Sequence, residues 1–227
     1  MRTLKPVVAA LGLGLGLCLA SSLFVGACSA SVTSPVAGQE YRIVGGAQQA
    51  VPAARVEVIE FFWYSCPHCN AFDPYLTDWV KSQGAKIEFK RVPVAFHPGD
   101  ENLQKLYFAL EVLGKVEQLH SKIFHAIHVE HLHLNDDNAI ADFVAGQGVD
   151  RTAFLSAYQS FSVATSIQHA RQLSANYQID SVPMLVIGGR FVTSPSLAGV
   201  SLGDQPEINY YQASFKVADW LVAKAAR

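Results

Sequence analysis

A short motif with two reactive side chains lies after an apolar, aromatic run from Phe61 to Tyr64: Cys66 and Cys69 are separated by Pro67 and His68. The run is typical of a strand, and proline is favoured at the first position of a helix. The motif is therefore predicted at a strand-to-helix junction. Unpaired backbone N–H groups and the positive end of the helix dipole favour a thiolate there. Two cysteines placed in this way can interconvert between dithiol and disulfide.

The two sulfurs are expected to have different tasks. Cys66, at the helix start, is predicted to be the exposed sulfur that is attacked and leaves, because a low thiol pKa speeds departure from a disulfide. Cys69 follows one turn later on the same face and is predicted to resolve the mixed disulfide. His68 can place an imidazolium or an N–H near Cys66, so the Pro-His dipeptide is expected to tune the redox balance.

Two other interpretations of the motif are disfavoured. Half of a zinc site would need a second pair of soft ligands, and the remaining cysteines, Cys18 and Cys28, lie in the predicted leader. An inert structural disulfide is disfavoured because so short a loop would add little stability. A redox-active pair is therefore preferred over a zinc site or a structural disulfide.

The chain has 227 residues, 50% of them hydrophobic, and a formal net charge of −2. This length suits one domain with a sizeable insertion or two small domains. The slightly negative net charge gives no indication that the protein binds nucleic acid.

Residues 1–28 are predicted to be an export signal of a bacterial protein. Arg2 and Lys5 precede a largely apolar run from Val7 to Val25, and small residues follow. A retained membrane anchor is less favoured because the run contains glycines and no basic flank follows it.

The fate of Cys28 is left open by the sequence. It follows a lipoprotein-like box and would become an acylated N-terminus, or cleavage near it would release a soluble protein. Residues 29–39 are rich in Ser, Pro, Thr and Gly and are predicted to be a linker. An oxidising compartment permits the remaining pair to form a disulfide.

The elements around the motif follow from hydrophobic periodicity. A central buried strand containing Glu60 leads into a helix kinked at Pro74, and the next strand is expected to be parallel after a right-handed crossover. The predicted elements are a short edge strand at 41–44, strands at 55–63 and 86–94, and a helix at 66–83.

From Pro98 onward the apolar residues recur at the spacing of a helix. No pattern typical of a strand returns before the last quarter of the chain. Asn135 and Asp150 are predicted N-caps. Strands at 183–187 and 190–192 are then expected to form an antiparallel hairpin with a two-residue Gly-Gly turn. A loop containing Pro195 and a last helix at 207–225 complete the prediction.

The Cys66-Pro67-His68-Cys69 motif, the Ser181-Val182-Pro183 segment and the helical insertion together resemble the DsbA family of bacterial periplasmic thiol:disulfide oxidoreductases, in the thioredoxin superfamily. The resemblance covers about residues 40–225. It implies an α/β thioredoxin-like fold, with a central mixed sheet flanked by helices and an inserted all-helical subdomain. The thioredoxin-like domain would comprise 40–97 and 178–227, and the insertion 98–177.

The resemblance also implies that the Val182–Pro183 peptide bond is cis and faces the disulfide. The Val182 backbone would pair with an extended substrate segment, which gives affinity without much sequence preference. The alternative is a simple proline at a strand start. Trp63 and Tyr64 are expected to pack or to line a substrate surface.

Glu60 lies six residues before Cys66 and matches the family's buried acid. The resemblance implies that it accepts or relays the proton of Cys69. Burial would raise its pKa unless a cation compensates, and Lys90 or Arg91 can supply that cation. The alternative is a structural ion pair.

Four histidines at helical or near-helical spacing raise a metal hypothesis, but no acidic or thiol ligand pattern completes it. They are predicted to lie on a solvated helix face and loop. The four are His125, His128, His131 and His133.

The implied function is oxidation of reduced exported proteins in the periplasm, by a monomer without metal or organic cofactor. A quinone-linked membrane partner of the DsbB type would re-oxidise it. The alternatives are a disulfide isomerase or reductase of the same fold, and a non-catalytic chaperone that binds extended chains near Val182. No N-terminal dimerisation domain is evident, which disfavours the isomerase.

Overall fold

The computed structural model describes residues 34–44 and 55–226. The predicted signal peptide, Cys28 and the first part of the linker lie outside these residues. The last residues of the predicted linker, from Val36 onward, form a hydrogen-bonded turn with Glu40, whose carboxylate accepts the Val36 N–H. None of the helices in the described part of the chain is long and apolar enough to cross a membrane.

The fold is the predicted α/β thioredoxin-like fold, built on a mixed sheet of five strands in the order β1-β5-β4-β2-β3. Strand β2 pairs with β3 in parallel and with β4 in antiparallel fashion, while β5 pairs antiparallel with both β4 and β1. The strands are β1 (Arg42–Ile43), β2 (Val56–Phe62), β3 (Ile87–Pro93), β4 (Met184–Ile187) and β5 (Phe191–Thr193).

Eight α-helices surround this sheet in the described residues, and short 3₁₀ turns lie at 84–86 and 98–100. Helices α2 to α6 all lie between β3 and β4 and form the inserted helical part. The helices are α1 (Pro67–Gln83), α2 (Glu101–Val112), α3 (Val116–His128), α4 (Asp137–Gly146), α5 (Arg151–Tyr158), α6 (Phe161–Asn176), α7 (Pro195–Ala198) and α8 (Glu207–Ala225).

Strand β2 separates two apolar cores because successive side chains of a strand face opposite sides. Val56 and Val58 pack with residues of α1 and α8, whereas Ile59 and Phe61 pack with the helical insertion. Glu60 lies two residues after Val58, so its side chain is on the same side of the sheet and faces α1. A carboxyl group is thus directed into the layer beneath the Cys-x-x-Cys helix.

Three local predictions need correction. The α4 N-cap is Asp136 and not Asn135, because the Asp136 carboxylate accepts the N–H groups of Asn138 and Ala139 at 3.0 Å. The hairpin loop has three residues and not two, since Ile187 pairs with Phe191. Both glycines in that loop have positive φ, 58° and 65°. The predicted loop at Pro195 contains the short helix α7, which Ser194 caps.

We expect Asp136→Ala to lower the free energy of unfolding by about 1 kcal/mol, because two N–H groups at the start of α4 lose their acceptor. For a domain of this size the loss corresponds to a fall in Tm of about 2–4 °C. Asn135→Ala is the matched control and should change Tm less. Thermal unfolding followed by circular dichroism measures both, and equal effects would show that Asp136 does not cap the helix.

Candidate active site

The Cys-x-x-Cys motif lies at the predicted junction of strand and helix. Cys66 is the N-cap of α1, with extended backbone angles (φ −83°, ψ 116°), and Pro67 occupies the first turn. The Cys66 N–H donates to the Trp63 carbonyl at 3.0 Å, and the Cys66 carbonyl accepts the Asn70 N–H at 3.1 Å. These bonds join the end of β2 to the first turn of α1 and fix the Cys66 backbone at the start of the helix.

The local environment shifts the two thiol pKa values in opposite directions. The pKa of Cys66 falls to about 6, first because the Cys69 thiol donates to its sulfur and further because the backbone N–H groups of Cys69 and His68 do so, while burial opposes the shift. Burial is the main reason that the pKa of Cys69 rises far above its usual range. In the dithiol form Cys66 therefore carries the negative charge and Cys69 keeps its proton.

Cys66 is the more accessible of the pair but is less exposed than the sequence suggested, at 6% against 0% for Cys69. Its sulfur lies 3.7 Å from the Val182 carbonyl oxygen. The Val182–Pro183 peptide bond is cis, as the resemblance implied, and Pro183 directly precedes β4. The structure thus brings together two segments that are 116 residues apart in the chain.

A groove of about 710 Å³ lies beside this peptide bond. It runs between the segment before β4, helix α7 and the start of α8, and both apolar and polar side chains line it. The lining includes His68, Val182, Pro183, Val200, Glu207 and Tyr210.

Trp63 and Tyr64 have different surroundings. Trp63 is half-buried and lies edge-on to Phe96 with ring centroids 6.1 Å apart, and Phe96 is 41% exposed. Tyr64 is 1% exposed and packs in the core. Of the two, only Trp63 is placed at the surface near the motif.

His68 is exposed and contacts α8. Its Nδ1 lies 2.6 Å from Oε1 of Glu207, the first residue of that helix. The sequence interpretation missed Glu207 because 139 residues separate the two positions. No local pattern could have paired them.

Glu60 is fully buried and pairs with Arg91, whose Nε donates to its Oε2 at 3.0 Å. Burial raises the pKa of Glu60 to about 7; Arg91 opposes this rise and the nearby Asp73 adds to it. The alternative cation, Lys90, faces away and pairs with Glu57 at 2.7 Å. The structure therefore selects Arg91 from the two candidates.

A buried polar network that the sequence interpretation missed continues from Arg91. Asp73 of α1 lies 3.4 Å from the Arg91 guanidinium and 3.3 Å from Nε2 of His120, and it accepts the Ser121 hydroxyl at 2.9 Å. His120 Nδ1 is 2.9 Å from the Tyr64 hydroxyl. Burial lowers the pKa of His120. The sequence held one signal for Asp73, namely that it is a polar residue on the face of α1 that is buried.

The histidine cluster is dispersed. His125 is exposed near Glu130, at 3.5 Å, and His131 and His133 are exposed in the following loop. The prediction of a fully solvated face is wrong for His128, which is half-buried with its Nε2 2.8 Å from the Tyr64 carbonyl. Within residues 34–44 and 55–226 no group of three or more His, Cys, Asp or Glu side chains is arranged to hold a metal ion.

Comparison with known proteins agrees with this geometry. A family model described as a DSBA-like thioredoxin domain matches residues 57–201. The thiol:disulfide interchange protein DsbA of Burkholderia cepacia is 43% identical over 181 residues, which are 79% of this chain and 85% of that protein. DsbA of Bordetella pertussis is 38% identical over 225 residues, 99% of this chain and 98% of that one. The crystal structure of Pseudomonas aeruginosa DsbA aligns with a TM-score of 0.74 at 33% identity, covering 84% of this chain and 94% of that chain.

Proposed function

The chain belongs to the family of DSBA-like thioredoxin domains and is a thiol:disulfide oxidoreductase, and from this premise we propose that it is an oxidase that donates a Cys66–Cys69 disulfide to folding exported proteins. The observation that carries the proposal is the position of Cys66 at the N-cap of α1, with Cys69 fully buried one turn later. This arrangement shifts the pKa values of the two thiols in opposite directions. A stabilised Cys66 thiolate stabilises the reduced enzyme, so the disulfide form readily gives up its bond.

The reaction begins when a substrate thiolate attacks the Cys66 sulfur. A mixed disulfide forms at Cys66, and the Cys66–Cys69 bond breaks with its electron pair on Cys69, which then takes up a proton because its pKa is high. A second substrate thiolate attacks the substrate sulfur of the mixed disulfide. Cys66 leaves as a thiolate, and the substrate keeps the new disulfide. Both steps conserve electrons, and the enzyme ends as the dithiol.

Glu60 is proposed to exchange the proton of Cys69. Its negative charge contributes to the raised pKa of the Cys69 thiol. A carboxyl group with a pKa of about 7 is close to half protonated at neutral pH. Such a group both donates and accepts a proton readily, which a redox cycle needs because Cys69 gains and loses its proton in alternate half-reactions.

The backbone at Val182 and the adjacent groove are proposed to bind the substrate segment. The closeness of the Val182 carbonyl to the Cys66 sulfur supports this role, because an extended chain paired there would present its cysteine to Cys66. Backbone pairing suits an enzyme with many substrates.

The proposed location is the periplasm, after removal of residues 1–28 or acylation at Cys28. A quinone-linked membrane protein of the DsbB type is the proposed oxidant that restores the disulfide. We further propose that the enzyme acts as a monomer.

The direction of electron flow is tested by the equilibrium reduction potential of the pair, titrated with glutathione in the mature protein. We expect a value of about −120 mV, which is the potential known for DsbA. A value of about −270 mV, that of thioredoxin, would instead make the protein a reductant.

A further inference from the structure

The contact between His68 and Glu207 is a feature that the proposed reaction does not use. The His68 side chain is 69% exposed, that of Glu207 is 47% exposed, and the nitrogen and oxygen are 2.6 Å apart. Glu207 belongs to the last helix, whereas His68 belongs to the redox motif. The pair therefore links α8 directly to the dipeptide between the two cysteines.

The charged and titratable groups around His68 are Cys66 on its own element and Glu207 and Tyr211 on α8. The nearby Tyr211 hydroxyl and the contact with His68 lower the pKa of Glu207. The pKa of Tyr211 is raised by its burial and by the negative charges of Glu207 and Cys66. His68 in turn favours the Cys66 thiolate through its charge. The imidazole thus has an anion at Glu207 and a second potential anion at Cys66.

We propose that Glu207 is a positioning residue that holds the His68 imidazole in place beside Cys66. A hydrogen bond at one ring nitrogen of a histidine fixes the orientation of the ring. Held in this position, His68 helps to lower the pKa of the Cys66 thiol. This proposal rests on the proposed role of Cys66 as the exchanging sulfur.

If Glu207 had only a structural role, its replacement would have a different effect on the redox equilibrium. An acidic residue in the first turn of a helix stabilises that helix through its dipole. Such a role changes the stability of the oxidised and reduced forms equally, and it leaves the redox equilibrium unchanged. The measurement must therefore be the equilibrium or the thiolate titration and not Tm alone.

The test is a double-mutant cycle on the full mature protein with Glu207→Gln, His68→Ala and both together. The Cys66 thiolate is titrated by its ultraviolet absorbance, and the redox equilibrium is measured with glutathione. In the wild-type background Glu207→Gln should raise the Cys66 pKa and shift the equilibrium roughly two- to fivefold toward the oxidised enzyme, the size typical of one exposed charge pair. In the His68→Ala background this shift should disappear.

Glu101→Gln is the matched control, because Glu101 also lies in the first turn of a helix and pairs with a cation, Arg171. It should leave the equilibrium unchanged. The proposal is overturned if Glu207→Gln leaves the equilibrium unchanged, shifts it toward the reduced enzyme, or shifts it equally with and without His68. A wild-type protein without a low-pKa thiolate at Cys66 would instead overturn the proposed function, and this inference with it.

Discussion

Replacing Cys66 with serine is expected to abolish disulfide donation, and replacing Cys69 with serine is expected to trap substrates on the enzyme. In the proposed mechanism Cys66 carries the covalent intermediate, so its loss should reduce the oxidation rate of a reduced substrate protein by roughly three orders of magnitude or more. In Cys69→Ser the Cys66 thiolate still attacks disulfides, but the enzyme has no Cys69 thiol to attack the mixed disulfide and release the substrate. The variant should therefore accumulate mixed disulfides.

Oxidation is measured by the recovery of a reduced, disulfide-dependent protein, and trapping by non-reducing electrophoresis. Each variant is the control for the other because both remove one thiol from the same helix. If Cys66→Ser traps substrates and Cys69→Ser does not, the two tasks are assigned to the wrong sulfurs. If Cys66→Ser retains the full effect of the wild type on substrate aggregation and the wild type oxidises nothing, the chaperone alternative is correct.

Glu60→Gln is expected to flatten the dependence of stability on pH between about 4.5 and 7. The folded state raises the pKa of Glu60 from 4.5 to about 7. The folded protein therefore binds this proton more tightly than the unfolded chain. The resulting stabilisation is fully present below pH 4.5 and is lost as the pH rises through 7. A shift of this size corresponds to roughly 2–4 kcal/mol.

The measurement is urea unfolding of the oxidised protein across this pH range, because the disulfide form has no Cys66 thiol that titrates in the same window. His120 affects the pH dependence of stability in the opposite direction. Because its pKa is lowered in the folded protein, stability falls as the pH drops through the pKa that His120 has in the unfolded chain. The difference between wild type and Glu60→Gln cancels that contribution.

Glu88→Gln is the matched control, because Glu88 is an exposed carboxylate on β3 that pairs with Lys90. It should leave the wild-type pH dependence nearly intact. A Glu60→Gln variant with the slope of the wild type would show that Glu60 titrates at an ordinary pKa in the folded protein. Its proposed exchange of a proton with Cys69 would then lose its basis.

Much of the fold and the reactive pair was predictable from the sequence, because local rules govern these features. Aromatic and β-branched residues form β2, Pro67 favours a helix start, and the change from a period of two to a helical period after Pro98 predicts the insertion. The N-cap of α4 was misplaced by one residue because Asn135 and Asp136 are both good caps, and the backbone conformation at the helix start decides between them.

The partners in the site were decided by tertiary structure. Lys90 and Arg91 are adjacent in sequence, but successive side chains of a strand face opposite sides, so the choice between them depends on the parallel register that aligns Glu60 with Arg91. The contact of His68 with Glu207 and the network from Asp73 to His120 join elements that are far apart in the chain. Residue types and short spacings determined what chemistry was possible, whereas packing of the helices on the sheet decided which charges meet, because such contacts depend on distances in space that local sequence does not encode.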